Sequence, residues 1–301
     1  MLTDTSSQLA DVVDAIAPSV VQVRAGGRAA SGLVYQANLV LTTGRVIGRD
    51  EHPEVRTSDG RTFTAELAGW DPASRLALLK VPELTAPPVP GPVRETRPTS
   101  ETLPRVGSIA LAIGRSLSNY VTATAGLVSV IGGPLPTGPR RQLDQVIRIS
   151  APMHTGFAGG AVVGADGSLI GVATAAAIRG LTVVIPAGIA WEAARGMLER
   201  GSARRGYLGI AAQPVRVPER QRGDTARADA LLVVGIKDAS PAAEAGLLVG
   251  DLLLALDDVA LASPEDLIDL LVGDRVGKAV TLQVLRGGSP ASVQITPAER
   301  S

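Results

Sequence analysis

Gly156-Phe157-Ala158-Gly159-Gly160 is the stretch on which the reading of this chain turns. Its glycines permit a tight turn that aims backbone N–H groups at one point. Such a turn suits an oxygen on which negative charge develops. The third position here is Ala158, whose methyl cannot attack. The stretch has the shape of a nucleophile loop with the nucleophile missing.

Working outward, further motifs stand in order on both sides. Upstream lie Ala30-Ser31-Gly32-Leu33-Val34, Val40-Leu41-Thr42-Thr43-Gly44-Arg45-Val46, and Trp70-Asp71-Pro72-Ala73-Ser74-Arg75-Leu76-Ala77-Leu78-Leu79-Lys80-Val81. Then come Val106 to Gly114, Val121 to Ser129, and Leu143-Asp144-Gln145-Val146-Ile147. Asp166-Gly167-Ser168-Leu169-Ile170-Gly171-Val172 follows the loop. Each piece alone is weak, but in this order and spacing they resemble the HtrA/DegP-type serine proteases from about Ala17 onward. The resemblance implies an all-β dominated fold: a trypsin-like double β-barrel, two six-stranded barrels with a cleft between them, followed by an α+β PDZ domain.

Carried over position by position, the resemblance puts the family's histidine on Arg45, its aspartate on Arg75 and its serine on Ala158. A general base must accept a proton near neutral pH, and arginine keeps its charge in proteins. Arg75 has the wrong sign to orient an imidazole. Placed together, the two guanidinium groups are expected to splay toward water, find acidic partners or hold an anion. Gly156, Phe157 and Ala158 would form a vestigial oxyanion loop. Three altered positions point to a natural pseudoprotease that is not an enzyme. The alternative is a serine endopeptidase of protein quality control with an engineered or compensated site.

Substitutes for the triad are scarce. The two histidines are His52, expected on a solvated loop, and His154, whose neighbour Thr155 would point to the opposite face of an extended segment. No His, Cys, Asp or Glu cluster has metal-ligand spacing, and no phosphate-cradling glycine pattern follows a strand, so neither metal nor cofactor is expected.

The composition suits a globular protein. Of 301 residues 45% are apolar but only 2% aromatic, so the cores must rest on Val, Leu, Ile and Ala. Lys and Arg number 29 and balance 29 Asp and Glu, which gives no electrostatic case for nucleic acid or anionic membrane. Cysteine is absent, so no disulfide framework exists. Met1 to Gln8 has neither the basic nor the apolar region of a secretory signal, and no apolar run approaches a membrane span. These features predict a cytoplasmic protein.

Turn residues and hydrophobic periodicity divide the chain into a helical segment (1–18), a first barrel (19–82), a proline-rich linker (83–104), a second barrel with a terminal helix (105–201) and a last domain (202–301). The first helix is predicted from Ser7 to Ile16 with Ser6 or Ser7 as cap. Ala239 to Leu256, containing Ser240-Pro241 and Ala245-Gly246-Leu247 before Gly250-Asp251, resembles a signature stretch of PDZ domains. Tyr207-Leu208-Gly209-Ile210 then resembles the PDZ carboxylate-binding loop, whose N–H groups receive a peptide terminus while the next strand pairs with the peptide. Ser263 is predicted to cap a helix over Pro264 to Leu271, in which Leu267 and Leu271 share a face, as core or as the flank of a peptide pocket. Arg204 and Arg205 either support the peptide carboxylate or are solvated. The expected partners are polypeptide segments or protein C-termini. A homo-oligomer (a trimer by resemblance) or a mixed oligomer with an active relative is expected, and the function is that of a scaffold, chaperone or regulator.

Overall fold

The computed structural model describes residues 2–47, 52–90, 104–138, 141–200, 206–222, 228–271 and 275–299. Two units are described separately, Met1–Ser202 and Ala203–Ser301. Of the predicted linker, 91–103 lies outside the described residues, as do Arg204 and Arg205.

Helix α1 (Leu2–Ile16) starts earlier than the sequence predicts. Nothing before Ser6 breaks a helix, so Ser6 and Ser7 sit exposed inside it rather than capping it. Its apolar stripe of Leu9, Val12, Val13 and Ile16 packs on the core of the first unit. Pro18, which has no N–H to continue the ladder, ends it inside a short 3₁₀ turn over Ala17–Ser19.

Strands β1 (Val20–Ala25), β2 (Arg28–Gln36), β3 (Leu39–Thr43), β4 (Glu54–Arg56), β5 (Thr62–Thr64), β6 (Glu66–Asp71) and β7 (Leu76–Lys80) form one sheet in the order β5-β4-β1-β2-β3-β7-β6. Its two end strands, β5 and β6, are halves of one chain segment separated only by buried Ala65, whose N–H donates to Pro53 O at 2.8 Å. The first of the two expected six-stranded barrels is thus a seven-stranded sheet whose end strands adjoin in sequence. Helix α2 (Gly44–Ile47) follows β3.

Strands β8 (Ile109–Arg115), β9 (Val121–Gly132), β12 (Val146–Ile149), β13 (Ala161–Gly164), β14 (Leu169–Ile178) and β15 (Leu181–Pro186) form a closed six-stranded barrel, with a side hairpin of β10 (Leu135–Gly138) and β11 (Arg141–Leu143). Inside it pack Ala110, Ala112, Val128, Ile147, Ile149, Val162 and Val184, small and branched as the aromatic-poor composition requires. A second cluster joins both sheets: Leu33, Leu41, Leu76, Leu78, Leu111, Ile113 and Val163 meet Ala190, Trp191, Ala194 and Met197 of α3 (Ala187–Arg200). Each fully buried Val, Leu or Ile contributes about 1.5–3 kcal/mol. One polar group pins this junction. Buried Arg115 donates to Val20 O at 2.8 Å and Ala17 O at 2.7 Å, and burial pushes its pKa down.

The second unit is a sheet of β17 (Ile210–Arg216), β18 (Asp229–Ile236), β19 (Leu252–Leu256), β21 (Val280–Arg286) and β22 (Ser289–Ile295), in that order. Strand β20 (Val259–Ala260) pairs with β19, and β16 (Gly206–Tyr207) pairs with β23 (Ala298–Glu299). Helix α4 (Pro241–Glu244) is capped by Ser240, whose Oγ accepts from Ala243 N at 3.3 Å. Helix α5 (Pro264–Leu270) begins with a capping box: Asp266 N donates to Ser263 Oγ at 3.2 Å, and Ser263 N donates to Asp266 Oδ2 at 2.8 Å. The expected strand-rich architecture, a trypsin-like domain with a barrel followed by a PDZ domain, is the one observed.

Candidate functional site

The loop at Ala158 is built by β13 and by Ser31 of β2. Thr155–Phe157 forms a single 3₁₀ turn. Ser31 Oγ donates to Gly156 O at 2.7 Å and accepts from Arg115 N at 2.8 Å, while Ser31 N donates to Ala158 O at 2.9 Å. Thr42 Oγ1 in turn donates to Ser31 O at 2.7 Å. Gly159 has φ +85° and lies so close to β2 that a Cβ there would stand 2.2 Å from Ser31 O. Only glycine fits both demands.

Two donors of this loop are taken by its own residues. Gly156 N donates to His154 Nδ1 at 3.0 Å, and Ala158 N donates to Thr155 O at 3.1 Å. These are the two N–H groups that an oxyanion hole at this loop would use. His154 also stands edge-on to Phe157, with ring centroids 4.8 Å apart. His154 is exposed, and its Nδ1 holds the loop. The available signal was an imidazole two residues before a glycine, which leaves room for the ring. His52 lies exposed in a bend.

The three positions carried over from the resemblance lie in one neighbourhood. Gly44 N, beside Arg45, donates to Arg75 O at 2.9 Å. Ala158 is 4% exposed and packs in the same cluster as Val46 and Ile47. Both arginines are exposed and neither forms an ion pair among the described residues. Arg75 adopts φ +57° and its Nη2 donates to Thr137 O, while Arg45 O accepts from Arg28 Nη1 at 3.3 Å. The Arg75 guanidinium is thus held by a backbone carbonyl, at Thr137. On β15, Thr182 Oγ1 donates to Ala151 O at 3.1 Å. Among the described residues no group of His, Cys, Asp or Glu is arranged to hold a metal, and no helix is long and apolar enough to cross a membrane.

In the second unit, Tyr207 ends β16, and Leu208 and Gly209 turn the chain into β17. Leu208 O accepts from Ala242 N at 2.9 Å and Gly209 O from Lys237 N at 2.8 Å. Gly209 has φ +80°, and a Cβ there would lie 2.2 Å from Ser240 Cβ. Lys237 Nζ lies 6.0 Å from the Tyr207 ring centroid, so a cation stands beside the turn. Among the described residues strand β17 pairs with β18 on one side only, and its Ile210 packs on the core. Leu267 and Leu271 are both buried in that core, at 6% and 5% exposure. A second charged pair locks the turn after α4: Asp251, 1% exposed, accepts from Arg286 Nε at 2.8 Å and Nη2 at 2.7 Å. That pairing holds the Asp251 carboxyl below, and the Arg286 guanidinium above, its ordinary pKa.

Comparison with known proteins agrees with this geometry. Residues 30–172 match a trypsin-like peptidase domain and residues 206–296 a PDZ domain. The chain is 29% identical over 274 residues to the periplasmic pH-dependent serine endoprotease DegQ of Escherichia coli, covering 88% of this chain and 58% of DegQ. It is 28% identical over 277 residues to the serine endoprotease DegS of the same organism, covering 88% and 75%. It spans only 54–58% of the length of DegQ and of two probable periplasmic DegP-like endoproteases from Pseudomonas. Among solved structures, the HtrA-type protease AlgW with a decapeptide aligns with TM-score 0.54 and 25% identity over 97% of this chain and 99% of that one. A serine endoprotease from Yersinia pestis aligns with TM-score 0.54 and 27% identity over 97% and 98%. The chain thus carries a trypsin-like peptidase domain followed by a PDZ domain, and it is similar in this order to the HtrA-type protease AlgW.

Two expectations are corrected by these relatives. The expectation of a non-enzyme fails, because the matching domain is a peptidase domain and the relatives are named serine endoproteases. The side chains at three positions do not decide the class of a chain. The cytoplasmic expectation fails as well, because DegQ and the DegP-like relatives are named periplasmic. The first residues of a sequence are a poor guide to its compartment.

Proposed function

We propose that this chain acts on polypeptides in the manner of the HtrA-type endoproteases it resembles, and that its PDZ unit recognises them by their free C-termini. The observation that carries the reading is the turn Tyr207-Leu208-Gly209-Ile210. Its carbonyls are tied to Ala242 and Lys237, it has Lys237 Nζ beside it, and it opens onto an unpartnered strand edge. That is the arrangement that captures a carboxylate and extends a sheet by one strand. Two solved AlgW structures, one with a decapeptide and one with a tripeptide, support peptide binding by a chain of this architecture.

At the peptidase loop the Ser–His–Asp route through positions 158, 45 and 75 has no hydroxyl, no proton acceptor and no anion to run on. Chemistry on a bound peptide there must draw its nucleophile from elsewhere. The periplasmic naming of the relatives supports work outside the cytoplasm, and the same resemblance supports assembly with like subunits. The test is binding of fluorescent peptides with free and amidated C-termini, beside digestion of unfolded casein. The free acids bind and the amides do not. Equal binding of both forms contradicts the reading.

A further inference from the structure

We infer that Pro214 fixes the length of peptide the groove can read, stopping strand pairing after about four residues. This rests on the reading of the PDZ edge given above. The parity of β17 is set at both ends. Gly209 O accepts from Lys237 N at 2.8 Å, and Val217 N donates to Ala228 O at 2.7 Å. Between them the register shifts once, from Ala211↔Gly235 to Ala212↔Val233. The extra residue, Val234, is on β18, so the alternation along β17 is unbroken. Val233 confirms it: its N–H donates to Asp251 O and its carbonyl accepts from Gly250 N, both at 2.9 Å, so it faces away from β17.

Odd-numbered residues of β17 therefore face β18, and Ile210, Ala212, Pro214 and Arg216 present their backbone groups to the open edge. Ile210 and Ala212 each offer an N–H and a C=O. Pro214 has no N–H, and its ring Cδ occupies the place where one would project. An added antiparallel strand advances about 3.4 Å per residue. A peptide with its terminal carboxylate at Leu208–Gly209, near the Lys237 ammonium, meets Pro214 about four residues upstream. Its terminal residues pair with Ile210 and Ala212. Beyond them the ladder loses a donor and meets a methylene. The preferred ligand is a short free C-terminus whose upstream sequence goes unread.

The test is a library of eight randomised C-terminal residues panned on the whole chain, with enriched peptides resynthesised as free acids and amides. Sequence preference is expected only in the last four positions, and shortening an enriched peptide from eight residues to four should change its affinity less than about threefold. Pro214→Ala should extend the preference upstream and strengthen eight-residue binding about three- to tenfold. Preference at upstream positions in the unaltered chain, or no gain from Pro214→Ala, overturns the length rule. If no enriched peptide binds better as the free acid than as the amide, the C-terminal reading falls and the length rule falls with it.

Discussion

The loop at 154–160 and the edge at 207–216 are both segments of backbone that could meet a peptide, and they differ in where their donors point. In the first, the N–H groups of Gly156 and Ala158 are taken by His154 Nδ1 and Thr155 O, and the loop is held by Ser31. In the second, the carbonyls of the turn are tied down while alternate residues of β17 face an open edge. Satisfied donors make a quiet surface, and unsatisfied ones at a sheet edge make a template for another strand. Recognition is therefore better prepared in this chain than carbonyl activation is.

The largest effect should come from trying to make the first region resemble the relatives' chemistry. Ala158→Ser alone is expected to give no labelling by a fluorophosphonate probe, since Arg45 supplies no base and the loop donors are occupied. Adding Arg45→His and Arg75→Asp should give labelling at residue 158 that mass spectrometry can locate. Labelling of the single variant would break the comparison. Next, Gly209→Val should weaken binding of a free-acid peptide by well over tenfold, because its Cβ would press on Ser240 and its φ of +80° is strained for valine. Fluorescence anisotropy with the peptides enriched above measures this.

A smaller effect is expected from the Asp251–Arg286 pair, which sharpens the view that the second unit is prepared in advance. Asp251→Asn should lower stability by about 1–3 kcal/mol, read by chemical denaturation. The sign of the pH dependence follows from the depressed Asp251 pKa. The stabilisation is fully present above the ordinary aspartate pKa of about 4 and is lost as pH falls through the lower folded value. The variant and the parent should converge in acid and differ at neutral pH. Last, phosphate should leave Tm unchanged, because the Arg75 guanidinium is already engaged by Thr137 O; a shift that saturates with phosphate would show the two guanidinium groups acting together.

Much of the fold could be read along the chain because it rests on local rules. Ser263 followed by Pro264 and Asp266 announces α5, and the glycine spacing at 156–160 announces the loop. Strand β4 escaped notice because three residues with one buried side chain, Val55, carry no periodicity. The start of α1 was misplaced because serine serves as an interior residue as well as a cap. The site was harder to read, since its character lies in directions. Whether Gly156 N faces a groove or an imidazole depends on one side-chain torsion, and the open parity of β17 depends on hydrogen bonds formed eight residues apart, at 209 and 217.

The most direct measurement is the affinity of the whole chain for one enriched peptide carrying either a free carboxylate or an amide at its C-terminus. The account predicts a loss of at least about tenfold on amidation, since a charge-assisted capture by loop N–H groups and Lys237 is removed. Equal affinities would show that the turn at Tyr207 to Ile210 does not receive a carboxylate, and would contradict it.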